Sequence, residues 1–229
     1  PCRTPRPIRS PSWPFRESAL FLRGNMIAGI ILAAGESSRM GRDKALLPLG
    51  RETFLGHLIE VLRGEVRPLV VVLGHHAEQI EEQIARFTDV QIVRNPNYKL
   101  GQLSSLQAAL RVLASEPVAG AVVCLVDHPA VTKGVVRALL DCFEKHPTNI
   151  VIPTCQGRRG HPALFPARLF PEFLDAPLDG GARVVVRRHA AEVELVETGE
   201  EGILLDVDRP ADYAALLERS IHRTEQDKP

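Results

Sequence analysis

The chain has 229 residues, enough for one substantial hydrophobic core or a core with a small appendage. Lysine plus arginine equals aspartate plus glutamate at 28 each, so no net field favours nucleic acid or a membrane surface as partner. Cys2, Cys124, Cys142 and Cys155 lack C-x-x-C spacing, which argues against a zinc or disulfide frame. No apolar run reaches the roughly 20 residues of a membrane span.

Residues 1–25, PCRTPRPIRSPSWPFRESALFLRGN, are rich in Pro, Arg and Ser, with Glu17 their single acid. Basic, acid-poor openings occur in organelle-targeting peptides, but these prolines forbid the amphipathic helix such signals use. The expectation is a disordered or non-native segment, followed by one domain over residues 26–220 and a polar tail at 221–229.

From Met26 onward, short apolar runs alternate with helical periodicity. Residues 27–33 read as a strand buried on both faces. Residues 53–62 place Phe54, Leu55, Leu58, Ile59 and Leu62 at helical spacing, with Thr53 as cap. PLVVVL at 68–73 is a second strand ended by Gly74, and 76–87 returns to helix. Residues 90–93 form a short strand that Asn95-Pro96-Asn97 breaks. Helix over 103–113, strand over 121–126, helix over 132–143 and a strand from 150 follow. Beyond Pro153 the rhythm loosens: GRRGHPALF suggests a turn and a strand, and 180–189 suggests a helix. Residues 192–196 and 202–205 read as short strands, and 211–219 as a closing helix. This alternation predicts an α/β fold, a mostly parallel doubly wound sheet with helices on both faces.

In such sheets ligands bind at the carboxyl ends of the strands, so the polar residues just after each apolar run are the candidates. The first strand is followed by Ala34-Gly35, then Arg39, Gly41 and Lys44. Asn95, Gly101 and Gln102 follow the third, Asp127-His128-Pro129 the fourth, and Asp206-Val207-Asp208 comes near the end. Small residues let backbone N–H groups approach a polyphosphate, and Arg39 and Lys44 supply opposing charge. Carboxylates from separate strands suit Mg²⁺. Each feature alone has a plainer explanation: a turn glycine, a helix cap at Asp127, a turn acid at Asp206 or Asp208. His75, His76 and His128 read as solvated loop residues rather than metal ligands. Convergence of the strand ends is what points to a site. A P-loop is excluded because Gly41 precedes Arg42-Asp43-Lys44, and neither G-x-G-x-x-G nor G-x-S-x-G occurs.

LAAGESSRMGRDK at 32–44 resembles the signature loop of nucleotidyltransferases that activate small molecules with a nucleoside triphosphate. GQLSSL (101–106), DHP (127–129), GRRGHPALF (157–165), DGGAR (179–183) and DVDRPADY (206–213) resemble the molybdopterin cytidylyltransferases in order and spacing. The resemblance covers residues 27–217 and implies a Rossmann-like sheet. It implies a cytoplasmic enzyme in which a phosphate of molybdopterin attacks the α-phosphorus of CTP with Mg²⁺ as cofactor, pyrophosphate leaves, and a molybdoenzyme receives the product. It further implies that Leu32, Ala33, Ala34 and Gly35 line the nucleoside pocket, and that Arg39 and Lys44 hold the triphosphate across Gly41. Gly74, Asn95, Gly101 and Gln102 would frame base or ribose. Asp127 would ligate the metal together with Asp206 or Asp208. Gly160, His161, Pro162 and Arg183 would face the acceptor.

Guanylyl-transferring cousins tend to show Leu-Ala-Gly-Gly where this chain has Leu-Ala-Ala-Gly, so Ala34 favours a pyrimidine, an effect of about 1–3 kcal/mol. Arg209 departs from the Thr usual in the terminal motif, which leaves the acceptor open. The alternatives are guanylyl transfer to molybdopterin, NTP transfer to a sugar or alcohol phosphate, and a non-catalytic protein that delivers cofactor to a partner.

Overall fold

The structure, a computed structural model, describes residues 26–226, with the backbone alone from 220 onward. The opening segment with Cys2, and residues 227–229, lie outside the described residues.

Strand β1 (Met26–Ala33) runs through the middle of the sheet. On one side it pairs in parallel with β4 (Leu69–Leu73), which pairs in parallel with β5 (Val90–Arg94). On the other side lies β6 (Val118–Leu125), also parallel. Beyond β6 the order continues through β9 (Ala163–Pro166), β7 (Ile150–Cys155) and β10 (Val193–Glu197). Strand β9 is antiparallel to both its neighbours, so the sheet is mostly rather than wholly parallel. A two-residue strand β8 (Arg158–Arg159) folds back on β7, and β2 (Pro48–Leu49) pairs with β3 (Glu52–Thr53) in a separate hairpin.

Alternation along β1 divides the core. Ile27, Ile31 and Ala33 face a cluster built with α1 (Phe54–Leu62), α2 (Ala77–Ile84) and α4 (Lys133–Lys145). Ala28, Ile30 and Leu32 face α3 (Gln102–Leu113), α5 (Phe170–Asp175) and α6 (Arg183–Arg188). Nine-residue α1 is too short to persist alone. It is held because Phe54, Leu55, Leu58, Ile59 and Leu62 are fully buried, each contributing roughly 1.5–3 kcal/mol relative to exposure. Thr53 Oγ1 accepts from the Gly56 N–H and Thr132 Oγ1 from the Val135 N–H, satisfying N–H groups at the starts of α1 and α4.

Three expectations are corrected. Residues 202–205 are not a strand: Glu201–Leu204 form a 3₁₀ turn that crosses β7 and β8 instead of joining the sheet. Ile203 there is buried with Val135 and Cys155, so its apolar character reflects that contact rather than strand pairing. The expected helix over 180–189 is split into a 3₁₀ turn, Leu178–Gly180, and α6, separated by Gly181 at φ 64°. The closing helix α7 (Pro210–Gln226) continues past Arg219, so residues 221–226 are helical rather than tail. None of the described helices is long and apolar enough to cross a membrane.

From β1 the chain moves outward to β4 and β5, then returns through α3 to β6 on the opposite side of β1. The carboxyl ends of β1 and β6 therefore flank a topological switch point, where loops diverge to opposite faces and leave a crevice.

Candidate active site

The chain leaves β1 at Ala34, whose carbonyl accepts from the His75 N–H at 3.1 Å, while Leu32 O accepts from the Val126 N–H at 3.1 Å. The loop that follows winds into a turn: the Met40 and Gly41 N–H groups both donate to Ser37 O, with Ser37 and Gly41 at positive φ. Ser37 Oγ accepts from the Lys44 N–H at 3.1 Å, fixing the start of the 3₁₀ turn Lys44–Leu46. Lys44 is thereby carried into the interior, 8% exposed.

Its Nζ lies 2.5 Å from Asp208 Oδ1 and 3.5 Å from Asp127 Oδ2. Arg39 Nη1 reaches the other Asp208 oxygen at 2.7 Å. A backbone bond, Val207 N–H to Asp127 O at 2.8 Å, lays the 206–208 segment beside the end of β6. Asp212 Oδ2 accepts from the Asp208 and Arg209 N–H groups, tying that segment to the first turn of α7. The basic loop and the acids, brought from opposite ends of the sequence, thus meet at one place.

They border a cleft of about 350 Å³, at the low end of ligand-pocket sizes. Leu32, Ala33, Ala34, Gly35, Arg39, Lys44, Gly101, Gln102, Asp127 and Asp208 all line it. Ser37, Ser38, Asp43, Tyr98 and Ser105 line it too, and the sequence reading did not single them out. The paired serines in a small-residue loop were the available signal for the first two.

The electrostatics separate the two terminal acids. Lys44, hydrogen-bonded to Asp208, holds that carboxyl below the usual carboxylate range, and Arg39 adds to the effect. Burial raises Asp206, reinforced by the neighbouring charges of Asp127 and Asp208. Three carboxylates (127, 206, 208) thus face two cations (39, 44), and Asp206 has no close cation of its own among the ion pairs of the described residues. Asp127, His128 and Asp206 each offer a ligand atom, all within 4.8 Å of one another. Excess negative charge around convergent oxygens suits a divalent cation, so the residues fit Mg²⁺.

His128 is not the solvated loop residue expected. It packs against His161, ring centroids 4.7 Å apart, and neither Nδ1 has a hydrogen-bond partner among the described residues. Burial pushes His161 down to about 4, with the His128 charge adding and Asp127 opposing, so its ring is neutral near pH 7. Gly160 and His161 sit against the 201–204 turn: His161 N–H donates to Ile203 O at 3.0 Å. A Cβ on Gly160 would fall 2.5 Å from Ile203 O. Gly160→Ala is therefore expected to lower the unfolding free energy by about 1–3 kcal/mol in urea titrations; an unchanged midpoint would show that this contact yields freely.

Other expected site residues stand apart from the cleft. Gly74 and Asn95 line an adjoining hollow of about 670 Å³ instead. Asn95 is buried, donating to Ser104 and Ser105 Oγ and accepting from the Asn97 N–H, so its amide secures the turn into α3 rather than standing free for a base. Gly74 has backbone and ring against it, a Cβ there lying 2.6 Å from Ala34 O and 2.7 Å from Tyr98. Arg183 stands on α6 and donates to Gly180 O, and neither it, Gly41, nor Gly160, His161 and Pro162 lines the cleft.

A doubly wound sheet with a cationic loop after its first strand, and acids across the switch point, has the form of a nucleotidyltransferase domain. Residues 29–193 match the family described as MobA-like NTP transferase domain, and the chain belongs to that family of nucleotidyltransferases. It is 28% identical to the molybdenum cofactor cytidylyltransferase of Escherichia coli (strain K12) over 83% of this chain and 95% of the relative. It is 31% identical to the probable molybdenum cofactor guanylyltransferase of Mycobacterium avium (strain 104), over 84% and 95%. Among solved structures it resembles Rv0371c from Mycobacterium tuberculosis H37Rv with TM-score 0.74, 30% identity and coverage of 85% of this chain and 99% of that one. The same protein has been solved in complex with manganese, at TM-score 0.69, 31% identity and equal coverage.

Proposed function

We propose that the chain transfers CMP from CTP to the terminal phosphate of molybdopterin, releasing pyrophosphate, with Mg²⁺ as cofactor. The observation that carries this reading is the meeting of Arg39, Lys44, Asp127 and Asp208 at one cleft at the β1–β6 switch point, with Asp206 next to Asp127 just outside its lining. The relatives' names supply the substrate class, a molybdenum cofactor.

Arg39 and Lys44 are the groups that bind the triphosphate. Asp208 holds both in place, one carboxylate oxygen on each. Asp127 and Asp206 are the metal ligands, with His128 beside them; Asp208 is assigned to the cations instead because its two oxygens already engage Lys44 and Arg39. When bound, Mg²⁺ supplies charge neutralisation at the reacting phosphates. No side chain need form a covalent intermediate, so the protein contributes positioning and fixed charge. His161, neutral near pH 7, offers the acceptor side a hydrogen bond rather than a charge.

CTP is favoured because Ala34, 5% exposed, puts a methyl group into the wall that a glycine would leave wider. The second reading is guanylyl transfer, supported by the 31% identity to the mycobacterial relative. The purified chain, incubated with Mg²⁺, each of the four common NTPs and molybdopterin, tests both. The expected result is pyrophosphate and a dinucleotide product with CTP preferred over GTP by about 10–200-fold. Preference for GTP reverses the nucleotide assignment. Binding without pyrophosphate from any NTP makes the chain a carrier, and turnover only with a sugar phosphate moves the acceptor.

A further inference from the structure

A second group of metal-ligating side chains lies on the other flank of the basic loop. Asp43, next to Lys44, faces His75 and His76 in the turn between β4 and α2. Its Oδ1 lies 3.4 Å from His75 Nδ1 and its Oδ2 2.8 Å from His76 Nδ1. The two imidazole centroids are 3.7 Å apart. The Asp43 side chain is only 13% exposed, so the carboxylate is largely withdrawn from water. One ligand atom from each of the three residues lies within 4.8 Å of the others.

Both turns are fixed before any ligand arrives. The His75 N–H donates to Ala34 O, His76 holds a left-handed φ of 48°, and Gly74 fits between Ala34 O and Tyr98 only because it lacks a Cβ. Two imidazoles converging on one acid in this way could be a hydrogen-bonded cluster and nothing more. Yet two nitrogens and one carboxylate oxygen are a donor set for zinc and similar borderline ions, and Mg²⁺ would instead seek oxygens. Zinc bonds of about 2.0–2.1 Å place tetrahedral ligand atoms roughly 3.4 Å apart, so at its widest the set closes by about 1.4 Å. Neutral imidazoles can shift their hydrogen to Nε2 and free Nδ1 without changing charge.

We propose that Asp43, His75 and His76 form a zinc-class site, separate from the Asp127–Asp206 pair, that clamps the 35–44 loop to the turn after β4. The inference does not depend on which nucleotide or acceptor the enzyme uses. It links the ion to the cleft by one residue, since Asp43 lines the cleft and precedes Lys44.

Zinc chloride titrated into the full chain against a chromophoric chelator tests it, in an Asp127→Ala, Asp206→Ala background that leaves the other cluster only His128. The expected result is one equivalent bound tightly, with affinity falling at least about 100-fold when His75→Ala and His76→Ala are added. Co²⁺ in place of zinc should give an intense tetrahedral visible spectrum that the same two changes abolish. His76→Ala alone, at a half-exposed side chain, serves if the double change impairs folding, and should also weaken binding. Absence of a tight equivalent in the Asp127→Ala, Asp206→Ala chain, or undiminished zinc affinity without these histidines, overturns the proposal.

Discussion

Lys44→Ala is expected to reduce kcat/KM for the nucleotide by about 100-fold or more, equivalent to about 2.7 kcal/mol of transition-state stabilisation. The size follows from where the ammonium sits. A lysine 8% exposed, with its charge directed at the cleft, acts through little water, so its attraction for a triphosphate is weakly screened. The same change leaves Asp127 and Asp208 without their shared cation. Removing one member of a buried pair can cost 3–5 kcal/mol, but Asp208 is about one-third exposed and keeps Arg39. The loss of folding stability should therefore be nearer 1–2 kcal/mol. Steady-state kinetics with varied NTP, alongside urea unfolding of the ligand-free variant, separates the two effects. Wild-type kcat/KM with reduced stability would leave Lys44 a purely structural residue.

Asp127→Ala is expected to lower turnover by about 10³-fold or more while leaving the unfolding midpoint almost unchanged. The carboxylate lies at a strand end, 30% exposed and 3.5 Å from a lysine that has a closer partner in Asp208, so the fold loses little. Catalysis loses half of the proposed metal pair. The comparison with its neighbours is the informative part. Asp206→Ala should match Asp127→Ala, with partial recovery at raised Mg²⁺. Asp208→Ala should instead resemble Lys44→Ala, weakening nucleotide binding without a greater Mg²⁺ requirement. Equal Mg²⁺ sensitivity of the Asp206 and Asp208 variants would cancel the separate roles.

The distinction between Asp206 and Asp208 shows what the sequence could carry. Both follow an apolar segment and precede Pro210, so strand-end reasoning reaches the pair. Which acid meets Lys44 is set by the backbone bond from Val207 to Asp127 and by Asp212, neither of which has a local signal. The first strand, the capped helix after Thr53 and the loop bearing Arg39 and Lys44 were legible because periodicity, capping and glycine placement are local. Asn95 illustrates the opposite case. It follows a strand like the other candidates, but Ser104 and Ser105, nine and ten residues on, engage its amide. The 202–205 segment has strand-like apolar residues, yet Ile203 belongs to a 3₁₀ turn that buries it against Val135 and Cys155. Asp43 and His75 are 32 residues apart, and His128 and His161 meet only through folding, so none of these histidines could be distinguished from a solvated one.

The basic loop and the acids at 127 and 206 are expected to grip one metal-bound triphosphate. A crystal structure with Mn²⁺ and a non-hydrolysable CTP analogue tests it most directly, because manganese is located by its anomalous signal. That signal is expected between Asp127 and Asp206, with phosphate oxygens beside it and Arg39 and Lys44 on the triphosphate. Manganese and triphosphate bound elsewhere on the sheet, with those four side chains disengaged from both, would contradict it.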